Sequence, residues 1–252
     1  MMLFWTGTLI FVVSFVFAML GLGGGMLYVP IFHWLGFGLK NVVIPLGLLL
    51  NGLNTLVALV PYGRKGLVDW KGGLPMALGA LVGAPLGAMT APYVPGRVLL
   101  ILFALLVLVA GARTLAVVRQ AEPALDVLPP HRMLWGTLVS TLAGFLGGLL
   151  GIGGGFLISP LLLWIGYPTK EAAATTAYIV TFSSFSGFLG HMGHMTLSGP
   201  LLAVTVGAVL VASWAGSSFM ANKAKPAWVK TLYGILLLGV AAKLLWPFLA
   251  TA

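Results

Sequence analysis

Apolar runs long enough to cross a bilayer recur along this chain, for example at residues 3–20, 42–60, 98–118 and 197–220. At about 1.5 Å of rise per helical residue, each covers roughly the 30 Å of hydrocarbon in a membrane. In hydrocarbon every backbone N–H and C=O must find a partner within the protein, which leaves α-helices or a closed β-barrel. Barrel strands read as short alternating segments, whereas these runs are continuous. The expected fold class is an all-α polytopic membrane protein. Composition agrees: 60% of the 252 residues are hydrophobic and 7% charged, against about 25% charged in a soluble domain.

The first run lacks the positively charged start and the cleavage site of a signal peptide, so it is expected to be retained. The chain has no cysteine, which excludes disulfides, thiolate metal sites and cysteine redox chemistry. Its net charge of +9 is spread in small groups between apolar runs. Membrane topology and lipid headgroups account for that pattern, and no nucleic-acid partner is expected.

The chain also repeats itself. "GLGGGMLYVPIFHWLGFGLK" from Gly21 aligns without a gap on "GIGGGFLISPLLLWIGYPTK" from Gly151. Gly21, Gly23, Gly24, Gly25, Leu27, Pro30, Trp34, Gly36 and Lys40 recur as Gly151, Gly153, Gly154, Gly155, Leu157, Pro160, Trp164, Gly166 and Lys170. Each half reads as an apolar helix (3–20; 134–150), a glycine break, a short apolar segment (26–37; 156–167) and three longer apolar segments. The short segment reaches only about 18 Å and cannot span the core, so a half-helix or re-entrant piece is expected. Between the halves, "RQAEPALDVLPPHR" gathers charge and proline. Residues 1–120 are taken as the first transmembrane repeat, 121–131 as a cytoplasmic linker and 132–252 as the second repeat.

Arg64, Lys65 and Lys71 fall between the third and fourth segments of the first half, and Arg113, Arg119 and Arg132 around the end of the fifth. In the second half "GHMGHMTLS" has no Lys or Arg, and Lys223, Lys225 and Lys230 follow the fourth segment instead. The positive-inside bias has flipped between corresponding loops. Two inverted-topology repeats, each with a glycine-broken half-helix, and both termini outside are the expectation.

A helix broken inside hydrocarbon leaves polar backbone groups that protein, water or a ligand must satisfy. Gly23, Gly24 and Gly25, and Gly153, Gly154 and Gly155, lead directly into the short segments. Glycine admits positive φ and close approach of a ligand, and a helix start offers free N–H groups and a positive dipole end. Such a break can hold an anion without a charged side chain. The alternative is that these small residues only let helices pack closely. Against it stand the contiguity of the runs and the equal distance to Pro30 and Pro160. On the anion reading, Gly154→Val should stop flux in folded protein.

Polar residues of the third segment share a face: Asn51, Asn54 and Thr55 are spaced i, i+3, i+4. Thr181 and Ser184 occupy the repeat positions of Asn51 and Asn54, and Thr175, Thr176, Ser183 and Ser186 add hydroxyls. Neutral donors at equivalent places suit a small oxyanion; hydrogen bonding between helices is the plainer role for any one of them. No Asp, Glu, Lys or Arg falls mid-span, Lys243 coming nearest, which argues against a carboxylate cation pump. His33, His191 and His194 lie toward segment ends, where solvated histidine is the common case. Trp5, Trp34, Trp70, Trp135, Trp164, Trp228 and Trp246 suit interfacial anchoring. There is no H-E-x-x-H, G-x-S-x-G or P-loop, so neither an enzyme, a metal nor a cofactor is expected.

Taken with "AATTA" at residues 173–177, "GRKGLVDW" at 63–70 and "GALVGAPLGA", the two glycine motifs resemble the TauE/SafE sulfite and organosulfonate exporter family. The resemblance covers nearly the whole length. It implies transport of a small sulfur-containing anion, such as sulfite or sulfoacetate, across the cytoplasmic membrane. Two departures stand out: Ala174-Thr175-Thr176 is matched by Ile44-Pro45-Leu46, and "GRKGLVDW" by "GHMGHMTLSGP". An alternating-access anion carrier is the expectation, with a passive channel or a non-transporting assembly or sensor subunit as alternatives. Nothing calls for a second chain, and a monomer in the lipid bilayer is expected.

Overall fold

The computed structural model describes residues 2–116, 130–194, 198–223 and 226–249. They form α1 (Met2–Leu20), α2 (Gly25–Trp34), α3 (Ile44–Arg64), α4 (Trp70–Thr90), α5 (Gly96–Ala116), α6 (Pro130–Leu150), α7 (Gly155–Ile165), α8 (Thr169–His191), α9 (Gly199–Asn222) and α10 (Pro226–Leu249). No strand occurs among the described residues. Among the described residues, six helices are long and apolar enough to cross a membrane by length and composition, and the protein is an all-α polytopic membrane protein. Of the expected linker, residues 121–129 lie outside the described residues, while Pro130 opens α6.

The 130-residue offset that takes Gly21 to Gly151 also takes α1 to α6, α2 to α7, α3 to α8, α4 to α9 and α5 to α10. Packing follows the same exchange. α4 lies along α6 as α1 lies along α9, while α3 pairs with its own counterpart α8 and α5 with α10. Neither half is therefore a body of its own; each buries its faces against the other.

Helix direction follows from the contacts. Leu48, Asn51 and Thr55 meet Gly187, Ser184 and Thr181, so α3 and α8 are antiparallel. Gly111 meets Leu238 and Gly234 meets Leu115, so α5 and α10 are antiparallel too. α2 turns back along α3, with Gly25 at Asn51 and Val29 at Gly47. The short helix thus runs antiparallel to α3 from its middle toward its start.

Small residues set the closest crossings. A Cβ on Gly83 would stand 2.1 Å from Thr141 O and one on Gly87 1.9 Å from Phe145 O, while Gly144 and Gly148 press on Ala80 O and Ala84 O. This is small-xxx-small packing read from both sides, the means by which apolar helices associate where lipid removes any hydrophobic drive. α3 begins with a π-helical turn, Leu39–Val43. Pro45 lacks the N–H that would continue the ladder there.

Among the described basic residues, Arg64, Lys65, Lys71, Arg113, Lys170 and Lys223 gather at one end of the bundle, where α3, α5 and α9 finish and α4 and α8 start. Lys170 Nζ donates to Ala221 O there, at 3.4 Å. Lys243 lies 4.0 Å from the centre of the Trp34 ring, toward the opposite end.

Candidate functional site

The two glycine breaks touch. A Cβ on Gly25 would stand 2.7 Å from Ile152 Cα, and one on Gly155 2.7 Å from Leu22 O, which are repeat-equivalent contacts. Farther out, Gly21 presses on Ala173 at the start of α8, and Gly151 on Ile44 at the start of α3. Gly21, Gly23, Gly151, Gly153 and Gly154 all have positive φ, between 65° and 82°. Side chains rarely take that conformation, and here it lets the chain reverse without a long loop. The repeat is broken at one point: Gly24 has φ −94° where Gly154 has +82°.

One side chain stands between the breaks. Asn51 Oδ1 accepts the N–H of Gly25, the first residue of α2, at 2.7 Å. Asn51 Nδ2 donates to Ser184 Oγ at 2.9 Å. A Cβ on Gly23 would lie 2.1 Å from Asn51 Oδ1, and one on Gly153 2.2 Å from Asn51 Nδ2. Only glycine on both sides leaves room for the carboxamide. Asn51 and Ser184 are fully buried and lie near mid-length of the spans Leu39–Arg64 and Thr169–His191. Thr181 Oγ1 donates to Thr55 Oγ1 at 2.9 Å alongside, and Ser183 Oγ bonds Gly153 O.

A second polar group adjoins Gly24. The Tyr28 ring folds back over Gly24, and its hydroxyl meets Ser14 Oγ at 2.6 Å and accepts from Asn54 Nδ2 at 3.0 Å. Asn54 Nδ2 also donates to Ser14 O, at 3.1 Å. Asn54 Oδ1, in contrast, is buried with no hydrogen-bond partner. Ser14 and Tyr28 carried no signal in the sequence beyond apolar surroundings.

The fold thus brings together Gly23, Gly24, Gly25, Gly153, Gly154, Gly155, Asn51, Asn54, Thr181 and Ser184. Thr175 is not among them. Nine residues before Ser184 on α8, it lies about 13 Å away along the axis and accepts the N–H of Asp69 at 3.0 Å. Thr176 is buried with its hydroxyl unpaired, at the repeat position of Leu46. The hydroxyls expected to line one site therefore divide between two places.

Thr175 belongs to a network at the basic end. Asp69 caps α4 by accepting the Gly72 N–H at 2.8 Å, and its other oxygen accepts from the Tyr167 hydroxyl at 2.7 Å. Burial and then the Asp69 carboxylate push the Tyr167 phenol well above its ordinary pKa. The repeat counterparts of Asp69, Tyr167 and Thr175 are Gly199, Phe37 and Pro45, so this tie exists on one side only. His191 departs from expectation as well: it is buried, with Nε2 3.0 Å from Gly148 O. Among the described residues no group of three His, Cys, Asp or Glu is placed to hold a metal.

Gly154→Val does not isolate function. A Cβ at Gly154 would lie 2.4 Å from Ala143 O at a positive φ, so the substitution attacks the fold itself.

Comparison with known proteins agrees with this architecture. The chain is 28% identical over 250 residues to a probable membrane transporter protein of Xylella fastidiosa (strain 9a5c), covering 93% of this chain and 91% of that one. It is 30% identical over 195 residues to the probable membrane transporter protein YunE of Bacillus subtilis (strain 168), 66% of this chain and 70% of that one. Sulfite exporter TauE/SafE family protein 3 of Arabidopsis thaliana is 37% identical over 75 residues, which is 30% of this chain and 16% of the plant protein. No solved structure matches. The family described as "Sulfite exporter TauE/SafE" matches from residue 7 to residue 244; this multi-pass chain, with its paired glycine breaks, belongs to that family of membrane transporters.

Proposed function

We propose that the protein carries a small sulfur-containing oxyanion, such as sulfite or sulfoacetate, across the cytoplasmic membrane by alternating access. Backbone N–H groups at the two glycine breaks hold the anion, with Asn51 and Ser184 beside them. The observation that carries this reading is the Gly25 N–H bonded to Asn51 Oδ1. The start of α2 already has an electronegative oxygen on it, at mid-span and in contact with the second break. An oxyanion is a stronger acceptor than a carboxamide for such a donor. The choice of sulfur rests on the family and on the names of the plant relatives.

The antiparallel pairs α3 with α8 and α5 with α10 support inverted-topology repeats, and the basic end supports a cytoplasmic face there, with both termini outside. Rocking of interlocked halves about the touching breaks would expose the site to each side in turn. One chain supplies both breaks, which supports a monomer. The same close contacts favour a second reading, in which the glycines only pack helices.

Thermal stabilisation of the detergent-purified protein in sulfite, thiosulfate, sulfate, sulfoacetate and chloride separates the two. Saturable stabilisation by a sulfur oxyanion, lost in Asn51→Asp, supports the anion site, because the new carboxylate would hold the Gly25 N–H and repel the ligand. Stabilisation by none of these anions would leave the packing reading.

A further inference from the structure

The buried acceptor Asn54 Oδ1 has no partner in the fold. It lies one turn from Asn51 on the same face of α3, and its amide nitrogen bonds the Tyr28 hydroxyl that folds over Gly24. A bare, unprotonated oxyanion supplies only acceptors, so it can satisfy the helix start and leave Asn54 Oδ1 as it is. A ligand that also brings a donor satisfies both. Side chains at i and i+3 on a helix are about 5–6 Å apart, the reach of a molecule with a few heavy atoms between its two functions.

Charge narrows the ligand further. Asn51, Asn54, Ser14, Tyr28, Thr55, Thr181 and Ser184 are neutral. Each helix start offers about half a unit of positive charge, and two starts meet here. Together they balance roughly one negative charge, while a second would be buried without compensation.

We infer that the ligand at the α2 break is a monoanion carrying its own hydrogen-bond donor. Its anionic oxygen displaces Asn51 Oδ1 from the Gly25 N–H, and its hydroxyl or N–H meets Asn54 Oδ1. This rests on the anion reading above and names the chemical class: a hydroxyl- or amide-bearing sulfonate, or a singly protonated oxyanion, in preference to a bare dianion.

Ethanesulfonate and 2-hydroxyethanesulfonate carry the same charge and differ by one hydroxyl. Binding of each to the purified protein, by calorimetry and by thermal shift, should favour the hydroxylated compound about tenfold, the worth of one well-made buried hydrogen bond. Asn54→Leu should erase that preference, so that the variant binds the two compounds alike. Equal binding of both compounds by the wild type overturns the inference while the anion site stands, as when a trapped water already serves Asn54. A preference that survives Asn54→Leu also overturns it. Should Asn54→Leu not fold, the wild-type comparison decides. Binding of neither sulfonate, with no stabilisation by sulfite, thiosulfate or sulfoacetate, removes the anion reading as well.

Discussion

Asn51 Nδ2 donates to Ser184 Oγ across 2.9 Å, so the carboxamide that caps α2 is itself held by a helix of the other half. The cap on one break and the register of α3 against α8 are one interaction. Asn51→Ala leaves the buried Gly25 N–H unpaired and should cost about 1–3 kcal/mol, against about 1 kcal/mol for Ser184→Ala. The double variant should fall short of the sum by about 0.5–1.5 kcal/mol, since the two share a bond. Unfolding titrations in detergent micelles measure the cycle, and strict additivity would mean that the bond carries no weight.

Glycine positions should divide by what surrounds them. Gly36 has φ +85° and nothing within 4 Å of its added Cβ, so Gly36→Ala should cost about 1–2 kcal/mol from conformation alone. Gly193 has an ordinary φ and equally open surroundings, and Gly193→Ala should be close to neutral. Gly87→Ala and Gly154→Ala collide with carbonyl oxygens of α6 and should give little folded protein. Size-exclusion profiles of the four variants in detergent test the order.

The Tyr167–Asp69 bond should give a pH-dependent contribution. The folded pKa of Tyr167 lies above the unfolded value of about 10, so its stabilisation is complete below that value and is lost as pH rises past it. Tyr167→Phe should therefore cost about 1 kcal/mol near neutrality, and the gap to wild type should narrow above about pH 10. A gap that stays constant through that range would mean that folding does not raise the Tyr167 pKa.

Topology can be read with single cysteines, because the chain has none of its own. Lys65→Cys and Lys223→Cys lie at the basic end and should react with an impermeant maleimide only after the cells are opened. Gly193→Cys, after α8, should react in intact cells. Labelling of all three from the same side would contradict inverted repeats.

Much of this architecture is local and could be read along the chain. Apolar length and the glycine motifs located α2 and α7, expected over 26–37 and 156–167 and found over Gly25–Trp34 and Gly155–Ile165. Both follow from what each segment must do in hydrocarbon, whatever its neighbours are. The meeting of Asn51 with Gly25, Gly153 and Ser184 was legible only as shared polarity in matched positions.

What tertiary structure decided is which polar groups share a pocket. Thr175 and Thr176 are adjacent in sequence, yet one bonds Asp69 and the other bonds nothing, because successive helix residues point about 100° apart. Asp69 and Tyr167 are brought together from opposite halves, His191 is buried on Gly148 O, and Gly24 departs from its partner Gly154 where the Tyr28 ring covers it. Hydropathy and period belong to a segment by itself. The rotation and register of one helix on another are set at distant seams such as Gly83 on Thr141 and Gly148 on Ala84, and these contacts exist only once the two halves interlock.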